Sequence, residues 1–165
     1  MRDAVDEVRR LYLDDGHAHG CAEATFVALK GALGLPAPAD ASAAMALNGG
    51  IAYSGGTCGA ITGSALAIGL LAASRIDDHR AAKATARRIV ARLMDDFEAA
   101  HGALDCRTLT GHRLRTPEEH EAFIASGVWR DGCMRQLEFV VARLAPLADP
   151  AMWAETVAAL EASEG

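Results

Sequence analysis

Cys58-Gly59-Ala60-Ile61-Thr62-Gly63-Ser64-Ala65-Leu66-Ala67-Ile68-Gly69-Leu70-Leu71-Ala72-Ala73-Ser74 carries no charge and is apolar on every side. A stretch this long reads as a helix rather than a strand, and a helix apolar all round is one buried on most sides. It is too short, and too often interrupted by glycine, for a membrane span. Gly59, Gly63 and Ala67 form a stripe of small residues along it, where a second helix can approach closely. The remaining segments are expected to pack around this helix.

Working outward, the N-terminal side is the glycine-rich loop Asn48-Gly49-Gly50-Ile51-Ala52-Tyr53-Ser54-Gly55-Gly56-Thr57. It delivers Cys58 to a helix start, where unpaired N–H groups and a partial positive charge stabilise an anion or a thiolate. No Gly-Lys-Ser/Thr follows, so the loop is not a P-loop. No strand precedes it, so it is not a dinucleotide fingerprint either.

Upstream, Asp3 to Asp14 has the period of an amphipathic helix, and a second helix runs from about Cys21 to Leu33. Ala41 to Leu47 is a short helical piece with Asp40 as its cap. Downstream, Asp77 or Asp78 caps a helix from His79 to about Ala100. Its inner stripe is Ala82, Ala86, Ile89, Val90, Leu93, Met94 and Phe97. Asp105 caps a short turn at Cys106. Thr116-Pro117-Glu118-Glu119 starts a helix that runs to about Ser126. Asp131-Gly132-Cys133 is expected to open another, and Ala151 to Ala162 forms the last, with Met152, Trp153, Val157 and Leu160 on one face. No segment alternates with period two for long. The expectation is an all-α, single-domain bundle of about six to eight helices over residues 1–165.

The chain is 51% hydrophobic but only 5% aromatic, a balance that favours closely packed helices over sheets. Its net charge of −6, with His112, Arg113 and Arg115 as the densest basic patch, argues against nucleic acid and anionic membranes as partners. The acidic, polar N-terminus does not resemble a signal peptide, so the cytoplasm is the expected compartment. There, cysteines serve catalysis, redox chemistry or metal binding more often than structural disulfides.

The four cysteines, Cys21, Cys58, Cys106 and Cys133, are each expected in the first turn of a helix, where a thiol's pKa falls below its ordinary value of about 8.5. No Cys-x-x-Cys occurs, so any cooperation between them must be assembled by the fold. Buried cysteine also packs as a small hydrophobe, and Cys21 and Cys133 align with apolar faces. His17 and His19, beside Cys21, add two candidate metal ligands.

Cys21-Ala22-Glu23-Ala24, Cys58-Gly59-Ala60-Ile61-Thr62-Gly63, Cys106-Arg107-Thr108-Leu109-Thr110-Gly111 and Cys133 follow one another in an order that resembles a known family. That family is labelled redox-active and named for a Cys, Gly-Cys-Ala-x-x-Gly, Cys, Cys signature. The resemblance spans about residues 16–144 and accounts for every cysteine. It departs from the literal motif: Gly20-Cys21-Ala22 lacks the final glycine, and Cys58-Gly59-Ala60 exchanges the first two positions.

The resemblance implies redox chemistry at the four cysteines without naming a substrate. Three functions stand open. The first is thiol-disulfide exchange by a thiol oxidoreductase, with Cys58 attacking and Cys21, Cys106 or Cys133 resolving. The second is an iron–sulfur cluster or another thiophilic metal held by Cys21, Cys58, Cys106 and Cys133, with Gly55, Gly56 and Gly59 leaving room beside Cys58. The third is a helical binding or assembly module in which the cysteines merely pack. An unidentified redox partner is implied by the first two, and the Ala-rich faces and terminal helix suit a homodimer.

Overall fold

The computed structural model describes residues 3–14 and 16–162, and among these no β-strand is present. Eight α-helices follow in order: α1 (Ala4–Tyr12), α2 (Cys21–Ala32), α3 (Gly59–Arg75), α4 (His79–His101), α5 (Cys106–Thr110), α6 (Pro117–Ser126), α7 (Met134–Leu144) and α8 (Pro150–Ala162). Two short 3₁₀ segments, Ser42–Leu47 and Ala145–Ala148, and a π-helical turn, Trp129–Cys133, complete the chain.

Local chemistry explains most boundaries. Asp78, rather than Asp77, caps α4 by accepting from the Ala81 N–H at 2.7 Å, and Gly102 ends it with φ 84°. Thr116 and Glu119 form a reciprocal capping box at the start of α6. Asp40 is not the cap of the 3₁₀ segment, which is Ala41; its Oδ1 accepts from the Ser42 N–H at 2.9 Å from one residue further out. A second expectation fails. Cys133 does not open a helix but closes the π turn that runs into α7. The new helical run starts before Asp131, because Gly127 ends α6 with φ 73° and the chain coils again directly after it.

The central pair is α2 and α3. Along α3, Ala60, Ile61, Ala67, Ile68, Leu71 and Ala72 are all buried, as are Ala22 through Lys30 of α2 except Glu23. The small residues of α3 set how closely the pair approaches. A Cβ added at Gly63 would lie 2.4 Å from the Ala22 carbonyl oxygen, so the helices meet nearly backbone to backbone. Around this pair, α1 and α7 pack on α2, and α4 packs on α3 through Ala82, Ile89, Leu93 and Phe97. On the peripheral helix α8, Trp153 and Leu160 are buried, whereas Met152 is exposed despite its expected inward position. No described helix is long and apolar enough to cross a membrane.

Candidate functional site

Two devices bring the cysteine-bearing segments together. The first is a backbone zipper: the Cys58 N–H donates to the Leu104 carbonyl at 2.8 Å, and the Cys106 N–H donates to the Gly56 carbonyl at 2.7 Å. Thr57 and Asp105 form an antiparallel bridge between them. Gly55 and Gly56 therefore serve the docking of α5, with Gly55 also accepting from the Arg107 N–H at 3.1 Å. The second device is the close approach of α3 to α2. A Cβ at Gly59 would fall 2.2 Å from Cys21 Sγ, so the Cys21 sulfur rests against the backbone of the residue after Cys58.

The loop before α3 takes an unusual path. Gly49, Gly50, Ile51, Ala52 and Tyr53 all have left-handed φ, between 49° and 75°. Each non-glycine residue held there costs about 1–2 kcal/mol, most for a β-branched side chain such as Ile51. Several backbone bonds hold the turn, among them Ala52 N–H to Ala46 at 2.8 Å and Tyr53 N–H to Asn48 at 3.1 Å. Strain of this kind clusters at functional sites. Here it aims the Gly49 N–H at Cys21 and leaves Tyr53 half-exposed on the surface.

Asn48 is the residue that sequence reasoning missed. Gly20 has no side chain to cap α2, and Asn48 reaches in from the loop instead. Its Oδ1 accepts from the buried Ala22 N–H at 3.0 Å, while its Nδ2 donates to Glu23 at 2.8 Å and to the Met45 carbonyl at 3.1 Å. A Cβ at position 20 would collide with it at 2.3 Å. Replacing Asn48 by alanine leaves a buried N–H without its oxygen partner, which costs about 1–3 kcal/mol. The expected result is a lower urea midpoint at unchanged m-value. An unchanged midpoint counts against this bracket.

A cleft of about 330 Å³ opens onto three of the four cysteines, Cys21, Cys106 and Cys133. His17, His19, His120, Tyr53, Phe123 and Trp129 also line it. Several of these rings meet edge-on: His17 lies 5.3 Å from Trp129 and Tyr53 lies 5.7 Å from His120. Cys58, 4% exposed, lies behind the cleft, with its thiol 3.6 Å from the Gln136 side-chain oxygen of α7. Cys21 alone among the cysteines is half-buried. The other three histidines do not line this cleft: His79 opens α4, His101 packs against Phe97 and Phe139, and His112 contacts Phe123.

Burial overturns the expectation of low thiol pKa values. It pushes Cys58 well above its ordinary value, and a charge on Cys21 raises it further. Cys106 and Cys133 are each pushed up to about 12, by burial first and then by the Cys21 charge. A hydrogen bond from the Tyr12 hydroxyl partly offsets this at Cys133. Cys21 is also raised by burial, but backbone N–H groups of Gly49, Ala22 and Gly59 pull the other way. Desolvation thus raises all four thiols, including those of Cys21, Cys58 and Cys106 that stand at helix starts.

The four thiols lie close enough that a charge on one raises the pKa of its neighbours. All four are free thiols, and among the described residues no set of three His, Cys, Asp or Glu side chains is arranged to hold a metal ion. The donor set is soft, but as it stands it fits a thiol cluster rather than a formed coordination site.

The molecule is therefore a helical four-cysteine protein, with its thiols gathered around the loop between the first 3₁₀ segment and α3. The chain belongs to the family described as Putative redox-active protein (C_GCAxxG_C_C), whose model matches residues 19–146. No curated protein and no solved structure matches it.

Proposed function

We propose that the protein carries out thiol-disulfide exchange, with Cys21 as the attacking thiol and Cys58 as its resolving partner. The observation that carries this reading is the seat of Cys21. Its sulfur borders the cleft, lies 4.0 Å from Asn48 Oδ1 and rests against Gly59, one residue from Cys58. The roles thus reverse those expected from the sequence, because Cys58 has no face on the cleft.

The Cys21 thiolate attacks one sulfur of a substrate disulfide, R–S–S–R′, forming a mixed disulfide and releasing R′S⁻. The Cys58 thiolate then attacks the Cys21 sulfur, forming a Cys21–Cys58 disulfide and releasing RS⁻. Two electrons pass from the dithiol to the substrate, and the two thiol protons are available to the leaving thiolates. Backbone N–H groups around Cys21 stabilise the charge that develops on its sulfur.

Reduced protein treated with hydroxyethyl disulfide is expected to lose two of its four thiols, with Cys21 and Cys58 joined in the peptide map. Cys58→Ser is expected to stop at a mixed disulfide on Cys21, seen as one hydroxyethylthio mass adduct. An adduct elsewhere, or no difference between variant and parent, rejects these assignments. Iron and sulfide in stoichiometric amount in anaerobically purified protein would instead favour the cluster reading.

A further inference from the structure

Beside the sulfur cleft lies a second cleft, of about 510 Å³, with a different chemistry. Arg107, Arg113, Arg115 and His112 line it, together with Ser54. The two clefts share Tyr53 and Leu114 as walls, and consecutive residues of α5 face one each: Cys106 the sulfur cleft, Arg107 the basic one.

The charge here is available for a ligand. Among the described residues no ion pair engages Arg107, Arg113 or Arg115; the arginines that are paired, such as Arg9, Arg10 and Arg143, lie elsewhere. Asp105 feels the Arg107 charge, but only after its own hydrogen bonds to Thr108. The cleft's one carboxylate, Glu119, has its Oε2 engaged by the backbone N–H groups of Arg115 and Thr116 at 2.8 and 3.2 Å, and its single charge is outnumbered by the three arginines. In a chain of net charge −6, a concave group of three arginines is a local reversal of sign, and such clefts concentrate anions.

We infer that this cleft binds the anionic end of the redox substrate, which is a low-molecular-weight disulfide bearing carboxylate or phosphate groups. The inference rests on the thiol-exchange reading and deepens it. The anionic group docks on Arg107, Arg113 and Arg115, and the disulfide extends past Tyr53 to Cys21. The arginines are binding and orienting residues. The sulfur chemistry stays with the cysteines.

The test compares oxidation rates of the reduced protein by glutathione disulfide, which is anionic, hydroxyethyl disulfide, which is neutral, and cystamine, which is cationic. Rates are normalised to those of dithiothreitol with the same reagents. The protein is expected to favour the anionic disulfide by about tenfold over the neutral one, and to lose that preference at high salt. Arg113→Gln/Arg115→Gln is expected to abolish the preference. Lys83→Gln/Arg87→Gln, an equal charge change on the exposed face of α4, is expected to keep it.

Calorimetry with S-methylglutathione, an anion with no exchangeable sulfur, reads the site without redox chemistry. Binding lost in the Arg113/Arg115 variant and retained in Cys21→Ser supports the anion site even if no disulfide oxidises the protein. That combination would reject thiol exchange alone. No charge preference together with no S-methylglutathione binding overturns the anion site, whatever the cysteines do.

Discussion

Gly63→Ala is expected to destabilise the protein by about 1–2 kcal/mol net, although alanine is the better helix former. Exchanging glycine for alanine inside a helix ordinarily stabilises by roughly 0.5–1 kcal/mol. At Gly63 the new methyl would lie 2.4 Å from the Ala22 carbonyl oxygen and 3.2 Å from Thr25 Cβ. Backbone cannot rotate away as a side chain end can, so α2 must move from α3. Overpacking of this kind costs about 1–3 kcal/mol, occasionally more. The shift also carries Cys21, one residue before Ala22, away from Gly59.

Gly69 provides the internal control. It lies on the same helix, and an added Cβ there meets nothing within 4 Å. Gly69→Ala is therefore expected to raise stability by a few tenths to about 1 kcal/mol. For a chain of this size the thermal midpoints should move in opposite directions, by about −2 to −8 °C for Gly63→Ala and about +2 °C for Gly69→Ala. Equal shifts at the two positions would remove the close α2–α3 contact from the account of the site.

The fold class was legible because its signals are local. The all-apolar stretch after Cys58 becomes α3, the Asp78 and Thr116 caps start α4 and α6, and the period of residues 82–97 gives the buried face of α4. The small-residue stripe was legible as a groove, but not what fills it, because nothing in Gly59 or Gly63 names Ala22 or Cys21 as the neighbour. The left-handed turn was invisible for a related reason. Ile51, Ala52 and Tyr53 have no preference for positive φ, and only the bonds made by the finished loop hold them there. Asn48 and Gln136 reach the site across 26 and 78 residues of chain, distances at which sequence pattern carries no information. The thiol pKa values were misjudged because a helix start is readable from sequence whereas depth of burial is not.

That burial makes the reduced protein sensitive to alkali, and the expected loss is large. Cys106 and Cys133 titrate at about 12 in the folded chain, against about 8.5–9 when unfolded. Their folded pKa values are raised, so the unfolded state sheds these protons first. Stability is then fully present below about pH 8.5 and falls as pH rises toward 12. One unit of pH in this window is about 1.4 kcal/mol for each such thiol, so the pair forfeits on the order of 4–6 kcal/mol by about pH 10.5. Cys21, Cys58 and the Tyr12 hydroxyl are raised as well and act in the same sense. Against a typical total of about 5–15 kcal/mol, this is enough to bring the reduced protein near its unfolding midpoint. Urea denaturation of the reduced protein at about pH 7.5, 9 and 10.5 should show the midpoint dropping steeply across the upper interval. Cys106→Ala/Cys133→Ala, starting from a lower midpoint because two buried side chains are cut back, should show a distinctly shallower drop. Parallel pH profiles for the two proteins would mean that the thiols titrate normally and are not buried as described. A bound thiophilic cation reverses the sign, because it holds the same sulfurs as thiolates and releases their protons on binding. Repeating the profile with added zinc therefore asks whether the folded chain binds the ion through these thiolates, and a flattened alkaline limb would show that it does.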